Sequence, residues 1–161
     1  MAEDVRPPRV YADEKTTLVA FLDYLRDSVA RKVSGLSDEQ ARKPMVPSGT
    51  SLLGLVKHLR VVELGWFAWS FAGEDIDLKP EDGELVPEDT VAGVVSGYLE
   101  AARHCNELIA GASLEQRAAR ARRDPEPATL RWILLHIIEE TARHAGHADI
   151  LREQIDGSVG R

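Results

Sequence analysis

The run from Thr129 to Ile155, TLRWILLHIIEETARHAGHADILREQI, constrains the fold most. It holds no proline, and its apolar residues recur at helical spacing, so it reads as one long amphipathic helix with Gly157 just past its end. Three more runs read the same way. The first extends from about Asp13 to Ser34, with Leu18, Phe21, Leu22, Leu25, Val29 and Val33 as its apolar face and Gly35 at the stop position. The second starts near Thr50 or Ser51 and runs to about Phe71, with Gly73 following. The third begins near Asp89, read as its N-cap, and ends around Ala110. No segment shows the strict alternation of a strand. Ser37-Asp38-Glu39-Gln40 and Ser113-Leu114-Glu115-Gln116 have the pattern of capping boxes, each opening a short helix in a connection. The expected fold class is all-α: a four-helix bundle with short helices in the connections.

A chain of 161 residues fits one domain, here residues 1–161 with a core of about 13–157 and loose termini. The net charge of −7 is concentrated. Residues 74–89 carry eight acids against one base, Lys79, and the rest of the chain balances. That argues against a nucleic-acid partner, which needs a basic surface to neutralise phosphates. The acidic segment reads as a solvated linker, or else as a lid at one end of the bundle. A single cysteine, Cys105, excludes an internal disulfide, and both Cys105 and the neighbouring His104 read as structural. No apolar run reaches the ~18–20 residues of a membrane span. Met1 to Arg9 lacks the apolar stretch of a signal peptide, so a cytoplasmic protein is expected.

The chemistry sits on the last helix. At about 100° per residue, His136, His147, Glu140 and His144 share one stripe roughly 80° wide. Ile133 and Leu151 fall within it, and Trp132 and Ile150 close beside it. A polar cluster on a core-facing stripe costs several kcal/mol, roughly, unless its members pair or bind a metal. Glu140 and His144, one turn apart, can reach one divalent ion. His58 is the only histidine of the second helix and falls at the edge of its apolar arc. Two imidazoles and a carboxylate would leave a position open, as in catalytic zinc sites. His136 and Arg143 read as supporting or salt-bridging groups, and Trp66 as a pocket wall or core residue. Glu63, within the apolar arc of the second helix, reads either as a residue that orients a ligand or acts as general base, or as an arginine's partner.

SLLGLVKHLRVVELGWF and LRWILLHIIEETARHAGHADILRE together resemble the DinB-like superfamily, and within it the branch named for mycothiol-dependent transferases. The resemblance covers the chain from the first helix to Gly157. It implies a bundle holding one divalent ion, zinc first and nickel or iron otherwise. The family pattern is one histidine in the second helix and an H-x-x-x-H pair, often followed by R-G-Q, in the last. His58 and His144 fit that pattern; Glu140 stands at the first position of the pair, as in the maleylpyruvate isomerase branch. Because Glu140 departs from three histidines, His147 is the alternative third ligand. The implied activity is thiol S-transfer or thiol-dependent isomerisation. In it a low-molecular-weight thiol, mycothiol in this branch, is held as thiolate by the metal and attacks a small electrophile. The resemblance also implies a homodimer.

The competing reading is a non-catalytic metal-binding bundle that serves as a stress-response or binding module. A di-iron carboxylate bundle needs E-x-x-H motifs, and the chain has none. The H-E-x-x-H motif of metalloproteases is also absent.

Overall fold

The computed structural model describes residues 6–122 and 124–159; the expectation of loose ends falls, at residues 1–5 and 160–161, outside them. Among the described residues five α-helices form: α1 (Glu14–Val33), α2 (Asp38–Arg42), α3 (Leu52–Glu63), α4 (Val91–Ile109) and α5 (Leu130–Asp156). Each long helix begins where a short polar side chain takes up an unpaired backbone N–H. Asp13, Ser51, Thr90 and Thr129 accept from Thr16, Gly54, Gly93 and Trp132. Ser37 and Gln40 close the expected capping box of α2. Asp89 is not the cap expected for α4. Its carboxylate instead accepts from the Val86 N–H at 2.8 Å and pairs with Lys57 at 2.7 Å, which leaves the capping position to Thr90.

The four long helices close a ring in which α1 packs on α4 and α5, and α3 also packs on α4 and α5. The all-α bundle read from the sequence is the architecture observed. Its core is two apolar clusters. One gathers Val29, Val33, Leu52, Leu59, Tyr98 and Leu151, the other Leu22, Phe67, Phe71, Cys105, Ile133 and Ile137. Between them along the helices lies a polar waist of Arg26, Glu63 and Thr141, all buried. Some expected core residues lie outside: Phe21, Trp132 and Ile150 are exposed. On α5 the buried face is Ile133, Leu134, Ile137, Thr141, Ala145, Ala148 and Leu151. The histidine stripe therefore lies along the edge of the core face, where water still reaches part of it.

Two departures from the expected elements shape the site. First, α3 continues without a break into π-helix over Leu64–Ala72, ending at Gly73 with φ +72°. Apolar periodicity does not separate one helical form from the other over nine residues. Second, Ser113–Gln116 does not open a helix. Gln116 N–H returns to the Ser113 carbonyl, and residues 117–122 and 124–129 form a strap. Ala118 N–H donates to Ala128 O at 2.8 Å, while Ala119 and Arg120 N–H donate to Phe71 O and Ser70 O at 3.1 and 2.9 Å. The last carbonyls of a helix need partners from outside it, and the strap supplies them.

Candidate metal centre

His58 projects from α3, and Glu140 and His144 from successive turns of α5. One donor atom from each lies within 4.8 Å of the other two. Glu140 Oε1 is 3.4 Å from His58 Nε2 and 3.2 Å from His144 Nε2. These separations are long for N–H···O bonds, whose distances centre on about 2.9–3.0 Å. They fit donors sharing one ion: bonds of about 2.1 Å at a tetrahedral angle put donors roughly 3.4 Å apart. The residues present therefore suit a divalent metal.

The electrostatics agree. Burial tends to raise the Glu140 pKa, but the two flanking imidazoles outweigh it and hold the carboxyl below its ordinary value. Burial lowers the His144 pKa, and His58 adds to that against the pull of Glu140. At neutral pH this favours an anionic carboxylate and a neutral imidazole, the forms that bind metal. His147 is not in the group of three. Its Nδ1 lies 3.4 Å from Nδ1 of His144, on the side of that ring away from Glu140. With its proton on Nδ1, the side facing His147, His144 would turn its Nε2 lone pair toward Glu140 and His58.

The other candidates lie apart from the cluster. His136 stacks on Trp132 and meets Trp66 edge-on. Arg143 pairs with Glu139 on the exposed face of α5. Glu63 is fully buried, and its carboxylate receives Arg26 Nε at 2.9 Å and Nη2 at 2.5 Å. The structure thus gives Glu63 the arginine partner that the sequence left as an alternative, inside the bundle. Burial raises its pKa and Arg26 opposes the rise.

Two cavities flank His58. One of about 710 Å³ is lined by the polar side chains of Arg42, Ser48, Thr50, Ser51, Glu84 and His144 beside Pro44, Leu55 and Leu85, together with His58. A more apolar one of about 420 Å³ is lined by Val61, Val62, Trp69, Leu78, Lys79 and Arg122, again with His58. The acidic segment 74–89 contributes to both. Asp75, Asp77, Glu81, Asp82, Glu84 and Glu88 are exposed, and the segment is also tethered to the bundle. Arg42 donates to the Val86 and Pro87 carbonyls, Glu74 pairs with His104 at 2.9 Å, and a Cβ at Gly83 would lie 3.6 Å from His58 Cα.

Residues 17–157 match the mycothiol-S-transferase family. The chain belongs to that family. Solved structures agree on the DinB-like fold. A DinB-like protein from Bacillus cereus is 19% identical with a TM-score of 0.65, the match covering 88% of this chain and 95% of that one. A conserved protein from Enterococcus faecalis is 14% identical with a TM-score of 0.63, covering 91% and 99%. Comparison with curated protein sequences gives no significant match. Among the described residues no helix is long and apolar enough to cross a membrane.

Several residues around the centre of this mycothiol-S-transferase family member carried no signal in the sequence. Arg122, Lys79, Leu78 and Gly83 come from connections, where no periodicity assigns a facing direction. Gly65 reads only as a small residue in a helix. Its meaning appears with its neighbour: a Cβ there would meet three guanidinium atoms of Arg122 at 2.8–2.9 Å.

Proposed function

We propose that this protein is a metal-dependent thiol S-transferase in which His58, Glu140 and His144 hold one divalent ion, zinc first. The observation that carries the proposal is the spacing of those three donors at the junction of two cavities. An ion held there would lower the pKa of a thiol brought beside it, so that the thiolate forms near neutral pH. His58 and His144 supply neutral nitrogens, and Glu140 supplies one negative charge. His147 orients His144. The cavity that His144 lines, with its serine and threonine hydroxyls and Arg42, suits a hydroxyl-rich thiol such as mycothiol. The other cavity suits the electrophile. Isomerisation assisted by the thiol is the variant of this chemistry in which the thiol is released again. The homodimer and the cytoplasmic setting expected from the sequence belong to the same proposal, and light scattering reads the first.

Metal analysis of the purified protein beside His58→Ala and Glu140→Ala tests the centre. About one divalent ion per chain is expected in the parent, and loss of that ion in both variants. A metal-free parent at full yield refutes the proposal. Turnover of mycothiol with monochlorobimane tests the chemistry. Bound metal with no thiol consumed on any electrophile tried would leave the non-catalytic binding module in its place.

A further inference from the structure

The apolar cavity beside His58 has one wall that is held in place from outside. Its volume, about 420 Å³, lies in the roughly 300–1,000 Å³ range of small-ligand sites. Val61, Val62 and Leu78 give it apolar sides, and His58 sets one end against the metal centre. Trp69 belongs to the same lining, eleven residues further along the continuous run of α3 and π-helix. The Arg120 guanidinium carbon stands over its ring, 5.3 Å from the centre. Arg120 is not among the described residues that line the cavity, so the side of the indole that it covers is not the side facing the cavity. Arg120 is itself fixed. Nη1 donates to Glu74 O and Nη2 to Gly73 O, both at 3.0 Å. Its backbone N–H donates to Ser70 O at 2.9 Å, and its carbonyl accepts from Ser70 Oγ at 2.7 Å. An anchored cation attracts the indole face and pins the ring in one orientation. A pinned flat ring sorts its contacts by shape. A planar aromatic group meets it with most of its atoms, whereas a puckered saturated ring of equal size meets it with fewer.

We infer that this cavity takes a ligand with an aromatic ring, and that the ring stacks on the side of Trp69 that Arg120 leaves open. About three helical turns separate Trp69 from His58, and a long side chain in a helix leans back over the turn before it. The span left between the indole and His58 calls for a short chain between the aromatic ring and the end of the ligand at the metal centre. The ring preference stands on the cavity alone. That the ligand is the electrophile, with its reactive carbon at the His58 end, rests on the transferase reading above.

Two pairs of probes separate these statements. The first pair is unreactive: 3-phenylpropan-1-ol and 3-cyclohexylpropan-1-ol. Ligand-detected NMR reads their binding, and the shift of the Trp69 indole N–H, identified by its absence from Trp69→Phe, reports the site. The saturated ring is the more hydrophobic of the two, so a cavity that sorts by apolar area alone favours the cyclohexyl alcohol. The parent is expected to bind the phenyl alcohol more tightly, by roughly two- to tenfold, the size of an aromatic pair beyond its area. Trp69→Phe should keep the direction of that preference, and Trp69→Leu should abolish it. Circular dichroism of both variants checks that the bundle is retained. The second pair is 1-bromo-3-phenylpropane and 1-bromo-3-cyclohexylpropane, with mycothiol and the zinc-loaded protein. Their reacting carbons are alike, because the ring lies at the far end of the chain. In that reaction the thiol gives up its proton to solvent, a sulfur–carbon bond forms, and bromide leaves with the electron pair of the carbon–bromine bond. The phenyl bromide is expected to react faster by about the same factor.

Equal binding of the two alcohols, tighter binding of the cyclohexyl alcohol, or a phenyl preference that survives in Trp69→Leu overturns the inference. So does binding that leaves the Trp69 indole resonance unmoved. Turnover of both bromides without ring preference overturns the assignment of the ring to the electrophile and leaves the transferase reading in place. A phenyl preference that depends on Trp69, without thiol consumption, upholds the cavity assignment and refutes the transferase reading instead.

Discussion

Arg26→Met tests the polar waist of the bundle most sharply. Arg26 is 2% exposed and Glu63 is 0% exposed, so solvent screens neither charge. The guanidinium holds both Glu63 oxygens and reaches Asp23 at 2.7 Å and Asn106 at 2.8 Å. Burial works against its charge, yet Glu63 and Asp23 together hold its pKa above the ordinary value. Methionine fills much of the same volume and leaves Glu63 buried without its cation, with only the Tyr98 hydroxyl beside it. Breaking such a pair costs about 3–5 kcal/mol. For a domain of this size that is a fall in Tm of roughly 6–20 °C, at about 2–4 °C per kcal/mol. The pH dependence has a definite sign. With Arg26 gone only the Tyr98 hydroxyl still opposes burial, so the folded Glu63 pKa lies further above its ordinary 4.5 than in the parent. The deficit against the parent is then smallest below about 4.5 and grows as pH rises through the folded value. Urea denaturation followed by circular dichroism at pH 5 and pH 8 reads both effects. Arg26→Met/Glu63→Leu should regain most of the loss, because the stranded charge is gone. A single variant within about 1 kcal/mol of the parent at pH 8, or a double variant no better than the single, would refute the reasoning.

Gly73→Ala should cost about 1–2 kcal/mol, because φ of +72° is unfavourable for alanine and its Cβ would stand 3.0 Å from the Ala119 Cβ; an unchanged denaturation midpoint would show that the strap yields freely. The Asp156 carboxyl is held at about 2, against an ordinary 3.8, chiefly by its hydrogen bonds with Arg152 and Ser158. Its contribution at the end of α5 is therefore present above about 3.8 and disappears as pH falls toward 2, and an NMR titration of its side-chain carboxyl carbon should give that midpoint. A midpoint at 3.8 or above would contradict it.

The sequence carried the helices more fully than the surfaces between them. Ser37, Ser51 and Thr129 are caps because a small oxygen beside a free N–H is a local matter, legible without tertiary context. The α5 stripe was legible as an angle, and with it Glu140 and His144. What an angle does not give is depth. The stripe stands at the edge of the core face, and Trp132 and Ile150 beside it are exposed. Arg26 was readable only in part: it shares the spacing of Leu22, Val29 and Val33, but its partner Glu63 lies 37 residues away on another helix. The strap over residues 117–122 and 124–129 was not legible at all. Its backbone donors serve carbonyls at the end of the π-helix, and two capping-box letters at Ser113 and Gln116 do not reveal that.

The π-helical stretch has a consequence for how such a bundle changes what it admits. A π turn holds roughly one more residue than an α turn, so it behaves as a stored insertion. Relaxing Leu64–Ala72 to α geometry with its residue count unchanged would release that residue into the helix and turn everything beyond the stretch by about 100°. Trp69 would leave the cavity wall, and the carbonyls that anchor the strap would point elsewhere. His58 lies upstream of the stretch and Glu140 and His144 on a different helix, so the donors would keep their places. An exchange of one helical form for the other at this point would redraw the reach of the site toward its reaction partner while its three donor side chains stayed as they are.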